Sequence, residues 1–216
     1  MARRLLLTRA RPQAEAFAKD VRSQTSLTPY IAPMQEMRDL PVEIDLTGIT
    51  ALAFTSKNGV EAFARKSPAR LPAYCVGEAT AMRARALGFE AKSAAGNVDS
   101  LKEILPEKGV LHLHGQHVAR PLHVPHLAIY EQVALPLDSA AIARLAAGEI
   151  NAVALFSPRS SRLFADAWRS SWPETPALYA LSEAVAAPLR PLGVPRICET
   201  PSAAAMLRLL SADYPA

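Results

Sequence analysis

Cysteine and long apolar runs are scarce in this chain of 216 residues. The two cysteines, Cys75 and Cys198, fall inside predicted strands, where buried reduced thiols are the expected state. The apolar run near the N-terminus is too short for a signal peptide, and a charge follows it at once. No stretch approaches the roughly 20 apolar residues that span a bilayer. We therefore predict a cytoplasmic protein without a membrane partner, and expect a monomer.

Signatures of several enzyme classes are also missing. There is no Gly-x-Gly-x-x-Gly turn after a strand and no Walker lysine loop, which argues against a dinucleotide enzyme or an NTPase. There is no Gly-x-Ser-x-Gly elbow, and Ser157 has no evident histidine partner, so a hydrolase is the least favoured class. Basic runs and helix-turn-helix patterns are absent, which disfavours nucleic acid. The formal charge of +4 suits a small polyanionic ligand better.

All five histidines lie between His112 and His126. Their spacing matches no standard zinc signature, and neither cysteine lies in this region. His112 and His114 would share one face of a strand. We predict solvated or hydrogen-bonded histidines here, and no metal site.

What the sequence does contain is an internal repeat. Residues 49–64 combine an apolar strand, a polar turn and a helical apolar stripe, and residues 150–165 repeat this pattern without a gap. The superimposed pairs include Ala53 with Ala154, Ser56 with Ser157, and Phe63 with Phe164. Residues 74–88 and 97–105 likewise match residues 179–193 and 202–210, in the same order. Two copies of one βαβαβα unit are therefore predicted.

The end of the second copy determines the predicted domain organisation. A strand at 110–114 follows the first copy and none follows the second, so the N-terminal strand Arg4–Thr8 is predicted to pack beside the strand of Val153. The fold class is α/β, with two similar flavodoxin-like domains whose parallel sheets are flanked by helices. The predicted parts are a discontinuous domain of residues 1–34 plus 137–216, an inserted domain of residues 42–128, and a two-stranded linker of residues 35–41 and 129–136.

Small hydroxyl and glycine residues recur in the turns after the predicted strands. Ligands of parallel sheets bind beyond the carboxyl ends of the strands, and in two domains those ends can face a shared cleft. Helix N-termini supply carboxylate-sized sites there, although plain helix capping explains any single turn as well. The candidate substrate-binding residues are Arg9, Thr55, Ser56, Asn58, Gly77, Thr80, Gly115, Ser157, Arg159, Ser160 and Ser182.

Tyr130 lies in the predicted connector beside the cleft, in an Ile-Tyr-Glu-Gln segment. Such an aromatic residue packs between strands, or its phenol donates a proton or hydrogen bond to a leaving group. Both interpretations stay open on the sequence alone.

An ordered set of segments resembles the uroporphyrinogen-III synthase family over nearly the whole chain. The segments are Leu-Leu-Thr-Arg at 6–9, Phe-Thr-Ser at 54–56, Val-Gly-x-x-Thr at 76–80, the glycine at 115, Ile-Tyr at 129–130, Phe-Ser-Pro-Arg-Ser at 156–160 and Ala-Leu-Ser-Glu at 180–183. The resemblance implies two α/β domains, one discontinuous, joined by a β-ladder.

The resemblance also implies a reaction. The family converts hydroxymethylbilane, a linear tetrapyrrole with eight carboxylates, to uroporphyrinogen III without a cofactor or metal. Water leaves the terminal hydroxymethyl group, and ring D is inverted through a spiro intermediate. Tyr130 matches the tyrosine proposed to assist loss of the hydroxyl group, and Thr80 matches the threonine of the Gly-x-x-Thr turn. A transient hand-over of substrate from the preceding pathway enzyme is a further expectation.

A second hypothesis comes from another class. Two α/β lobes around a cleft are equally typical of a cytoplasmic protein that binds a carboxylate ligand without turnover. Tight binding without reaction would favour that alternative.

Overall fold

The computed structural model describes residues 3–117, 122–169, 172–173 and 175–216. The chain divides into two compact units. The discontinuous unit comprises residues 1–36 and 134–216, and the central unit comprises residues 37–133. Among the described helices, none combines the length and apolar character that crossing a bilayer requires.

Strands and helices alternate along most of the chain. The first half contains β1 Arg4–Leu7, α1 Arg11–Gln24, β2 Thr28–Ile31, β3 Gln35–Asp39, β4 Ala51–Phe54, α2 Lys57–Lys66, β5 Ala73–Cys75, α3 Glu78–Ala86, β6 Ala91–Ser93, α4 Val98–Ile104 and β7 Val110–Gly115. The second half contains β8 His126–Ala134, α5 Ser139–Ala146, β9 Ile150–Leu155, α6 Pro158–Ala167, β10 Ala177–Ala180, α7 Glu183–Ala186, a 3-10 helix Ala187–Leu192, β11 Arg196–Ile197 and α8 Ala203–Asp213.

The six-stranded sheet has the order β3-β8-β7-β4-β5-β6. Its pairs from β8 to β6 are parallel, and β4 is buried along its whole length, as strands covered on both faces are. After β4 the chain runs outward to β6 and then returns to the other side of β4 as β7. The switch point of this sheet therefore lies between β4 and β7, which is where open α/β sheets bind ligands.

The five-stranded sheet has the order β11-β10-β9-β1-β2, and all its pairs are parallel. The predicted pairing of the N-terminal strand is confirmed, since Leu6 of β1 lies opposite Val153 of β9. The switch point lies between β1 and β9. The two sheets share one strand order when β1 is matched with β7 and β9 with β4.

Helices cover both faces of the five-stranded sheet, and successive apolar residues of β1 pack against opposite faces. Leu5 and Leu7 pack in one cluster with Phe17 of α1 and Met206 of α8. Leu6 points to the opposite face and packs in a second cluster with residues of α5 and α6. The six-stranded sheet is covered in the same way, by α2 and α3 on one face and α4 on the other. The predicted fold class is confirmed.

The segments predicted as linker strands overlap β3 and β8. β3 is an edge strand of the six-stranded sheet, and β8 lies between β3 and β7. Residues 126–130 of β8 pair with β7, so this segment continues a sheet strand and is not a free connector.

Candidate active site

Tyr130 of β8 lies opposite Gly115, which ends β7, and is therefore next to the switch point of the six-stranded sheet. It is only 8% exposed, and its phenol donates a hydrogen bond of 3.2 Å to the Ser56 hydroxyl oxygen. Ser56 is the N-cap of α2, and its side chain also accepts the Asn58 backbone N–H at 3.0 Å. The phenol, the hydroxyl group and the first amides of α2 therefore meet at one point.

Two glycines flank the ring of Tyr130. A Cβ on Gly115 would lie 2.7 Å from Cε2 and 2.8 Å from Cζ of the ring. A Cβ on Gly59 would lie 2.9 Å from the Leu113 carbonyl oxygen and 3.7 Å from Cε1 on the other edge of the ring. Gly115 stays a predicted substrate-binding residue, and in the structure its missing side chain leaves the space that the Tyr130 ring occupies.

A β-bulge determines the face on which Tyr130 lies. The register pairs His114 with Ala128 and then Gly115 with Tyr130, so Ile129 is the extra residue on β8. A one-residue shift moves the following side chains to the other face of a sheet. Tyr130 consequently packs in the apolar cluster of α2 and α3, on the face opposite the histidines. Bulges of this kind are over-represented beside active sites.

The histidines occupy the other face of β7. His112 is fully buried, and its Nε2 lies 3.2 Å from the Thr55 hydroxyl oxygen. His114 Nε2 lies 3.0 Å from Nδ1 of the exposed His126. Burial, helped by the neighbouring His114 and His126, lowers the pKa of His112 to about 4. The prediction that His112 and His114 share a face is confirmed, and His112, His114 and His126 each form a hydrogen bond.

The remaining candidates of the central unit follow β5. Gly77 is the N-cap of α3, and a Cβ on it would approach Gly96 Cα to 3.3 Å, so the turns after β5 and β6 pack closely. Thr80 lies in the first turn of α3 and is 6% exposed. The Asn58 side chain donates a weak bond of 3.9 Å to Met37 Sδ. Thr55, Ser56 and Tyr130 meet around the switch point, whereas Gly77 and Thr80 belong to the next strand outward.

The discontinuous unit presents a second group at its own switch point. The Arg9 guanidinium, directly after β1, stacks 4.1 Å above the Phe156 ring, and partial burial lowers its pKa. Ser157 is the N-cap of α6 and accepts the Ser160 backbone N–H at 3.1 Å, while the two hydroxyl oxygens lie 2.8 Å apart. These bonds give Ser157 a capping role, and among the residues that the structure describes its hydroxyl has no histidine partner.

Arg159 and Ser182 are the last two candidates. Arg159 is partly exposed in the first turn of α6. Ser182 precedes α7, which has four residues, and its hydroxyl forms no capping hydrogen bond. It therefore offers one hydroxyl group rather than the amides of a full helix.

Sequence reasoning named His112 and Thr55 separately and missed their contact. The register supplies the missing information, because Ala53 of β4 lies opposite His112 and Thr55 is two residues further along the same face. Pairing β4 with β7 would have brought the two residues together.

Two other features lie outside these groups. No cluster of His, Cys, Asp or Glu suited to a metal occurs within the described ranges. A cavity of about 470 Å³ in the discontinuous unit is lined by Arg3, Asn151, Tyr179 and Asp213, among others. It lies near the amino ends of the strands, away from the loops that carry Arg9 and Ser157.

Comparison with known proteins was made for the whole chain. A model of the family described as uroporphyrinogen-III synthase HemD matches residues 15–208. The search of curated proteins gave no match. Among solved structures, uroporphyrinogen-III synthetase from Helicobacter pylori is 19% identical, with a TM-score of 0.68 over 97% of this chain and 99% of that chain. A mutant uroporphyrinogen III synthase from the extremely thermophilic bacterium Thermus thermophilus is also 19% identical, with a TM-score of 0.55 over 98% of each chain. These structural likenesses show a shared fold.

Proposed function

The chain belongs to the uroporphyrinogen-III synthase family and functions in tetrapyrrole biosynthesis, and we propose from this premise how its residues act. The reaction is closure of hydroxymethylbilane to uroporphyrinogen III, with loss of water and inversion of ring D through a spiro intermediate. This assignment makes the protein a cyclising hydro-lyase.

The contact between Tyr130 and Ser56 is the observation that carries this proposal. The phenol already donates a hydrogen bond at the switch point, so it can donate to the hydroxyl group that leaves as water. The donated proton and the hydroxyl group depart together as water, ring D attacks the resulting electrophilic carbon, and the proton that ring D loses on final closure restores the phenol. The spiro intermediate then reopens and closes at the other position of ring D.

Helix N-termini supply the proposed carboxylate sites in each unit. In the central unit these are the first amides of α2 and α3, with Thr55, Ser56, Asn58, Gly77 and Thr80 around them. In the discontinuous unit they are the amides of α6, with the side chains of Arg9, Arg159, Ser157, Ser160 and Ser182. Free N–H groups and the helix dipole favour anions at such positions.

Positioning accounts for most of the proposed rate enhancement. Holding a flexible chain with its reacting carbons in contact is worth roughly 7–11 kcal/mol in well-oriented systems. Dehydration and ring closure exchange only protons and water, so we propose that the reaction needs neither a cofactor nor a metal. Buried free thiols at Cys75 and Cys198 are typical of reducing compartments, which supports a cytoplasmic location. Direct hand-over from the enzyme that makes hydroxymethylbilane stays part of the proposal.

Isomer analysis of the product tests the proposal. The purified protein is mixed with freshly made hydroxymethylbilane, and the oxidised products are separated into the type I and type III isomers. We expect the type III isomer, formed faster than spontaneous closure. Type I isomer alone at the spontaneous rate would contradict the proposal, and tight substrate binding without turnover would establish the binding-protein alternative.

A further inference from the structure

His112 makes one hydrogen bond from a fully buried position. Its Nε2 lies 3.2 Å from the Thr55 hydroxyl oxygen, and its Nδ1 has no hydrogen-bond partner within the part of the chain that the structure describes. Thr55 follows β4 at the switch point and directly precedes Ser56, the cap of α2. A buried side chain from the sheet interior thus reaches the edge where the substrate is proposed to bind.

Burial leaves His112 neutral, and the neighbouring ionisable groups lower its pKa further. His114 and His126 are its titratable neighbours, and the His112 and His114 rings are 4.9 Å apart. His114 Nδ1 lies 2.7 Å from the Gly115 carbonyl oxygen, which can only accept, so that nitrogen carries a proton. His114 Nε2 lies 3.0 Å from His126 Nδ1, so both ring nitrogens of His114 are engaged away from His112. With its pKa near 4, His112 carries a single proton at neutral pH.

The position of that proton decides what Thr55 can do. A proton on Nδ1 would leave a buried N–H donor without a partner, and buried orphan donors are rarer than orphan acceptors. A proton on Nε2 is donated to the Thr55 oxygen and leaves only an unpaired acceptor at Nδ1. In the second tautomer the Thr55 O–H is free to donate away from the sheet.

We propose that His112 is a positioning residue, whose Nε2–H fixes the Thr55 hydroxyl group as a hydrogen-bond donor toward a carboxylate oxygen of the substrate. The carboxylate part of this inference rests on the proposed function, whereas the tautomer depends on the protein alone. His112 does not contact the reacting atoms. Its loss should weaken substrate binding more than it slows the chemical step.

Nitrogen NMR tests the tautomer directly. The protein is labelled with ¹⁵N-histidine, and the His112 signals are identified by their absence from the spectrum of His112→Gln. We expect a protonated Nε2 and an unprotonated Nδ1 at pH 7. A proton on Nδ1 would overturn the proposal whether or not the protein proves to be a synthase.

Steady-state kinetics test the effect on binding. His112→Leu and Thr55→Val should each raise KM for hydroxymethylbilane about tenfold, as expected for one hydrogen bond to a charged group, with kcat changed less than threefold. The double variant should resemble either single variant, and His112→Gln should restore much of the affinity because its amide N–H₂ can donate to Thr55. His126→Gln, at the exposed end of the row, is the matched control and should leave KM unchanged.

Thermal unfolding separates binding from folding. Leucine removes the unpaired buried nitrogen, so His112→Leu should be about as stable as the wild type. An unchanged KM in a folded His112→Leu variant, or additive effects in the double variant, would refute the positioning role. Absence of turnover in the wild type would instead refute the proposed function and leave the NMR result standing.

Discussion

Gly115→Ala tests whether the missing side chain of Gly115 is needed to make room for the Tyr130 ring. The added Cβ would lie 2.7, 2.8 and 3.1 Å from Cε2, Cζ and the hydroxyl oxygen of that ring. Favourable carbon–carbon contacts lie near 3.5–4.0 Å, so the ring must move by roughly 1 Å. Movement of the ring away from Gly115 displaces the phenol and changes the geometry of its hydrogen bond to Ser56.

Both stability and turnover should fall in this variant. Overpacking of a close-packed interior costs typically about 1–3 kcal/mol, and we expect about 2 kcal/mol here. A displacement of about 1 Å can reduce turnover by roughly 10²-fold, so we expect a loss of at least tenfold in kcat. Urea unfolding measures the first effect, and formation of the type III isomer measures the second.

A double-mutant cycle assigns the cost to the ring. In a Tyr130→Phe background two of the three close atoms remain, so Gly115→Ala should cost the same free energy of unfolding as in the wild type. In a Tyr130→Val background the ring is gone, and the cost should fall below about 0.5 kcal/mol. An undiminished cost in the valine background, or wild-type turnover in Gly115→Ala, would refute the reasoning.

Four other contacts carry predictions of their own. Tyr130→Phe should slow turnover without abolishing it, because positioning dominates; complete loss with the fold intact would contradict this. Ser157→Ala removes the cap of α6 and should lower the free energy of unfolding by about 1 kcal/mol in urea, whereas Ser157→Asn should not. The hydrogen bond from Arg65 lowers the pKa of Asp39, so this pair stabilises the fold fully above the unfolded pKa of about 3.9, and its contribution is lost as pH falls through the lower folded pKa. Asp39→Asn should therefore lower the free energy of unfolding by less than about 1 kcal/mol at pH 7, and by less still in acid. The pKa of His112 is about 4 in the folded protein and about 6.5 in the unfolded chain, so between these pH values only the unfolded chain takes up a proton at this residue. The free energy of unfolding of the wild type should therefore fall by up to roughly 3 kcal/mol as pH falls across that window. Acid-unfolding measurements on His112→Leu should lack this loss.

Helix caps were predictable because their chemistry is local. Ser56, Ser157 and Ser202 stand at equivalent places of the repeat or directly before apolar helical stripes, and all three accept capping hydrogen bonds from backbone amides. The partner of the N-terminal strand was predictable for another reason. Each copy of the repeat needs the same number of strands, and β1 was the only unassigned strand for the second copy.

Cross-strand contacts were not predictable in the same way. Gly115 and Tyr130 were both predicted as site residues, but their contact depends on a β-bulge that the local sequence does not predict. The bond between Thr55 and His112 joins residues 57 positions apart in sequence, and it depends on the register of β4 against β7. The predicted linker segment of residues 129–136 overlaps β8, whose place in the sheet depends on pairing with β7.

The extra residue in β8 has a consequence for tracing ancestry. If a sequence alignment opens no gap at Ile129, it can align an isoleucine or a glutamate of this chain with the tyrosine of a relative. The tyrosine would then seem to have been lost or gained although it is present in both proteins. The short count from Ala128 to the phenol is the spacing that descendants must keep.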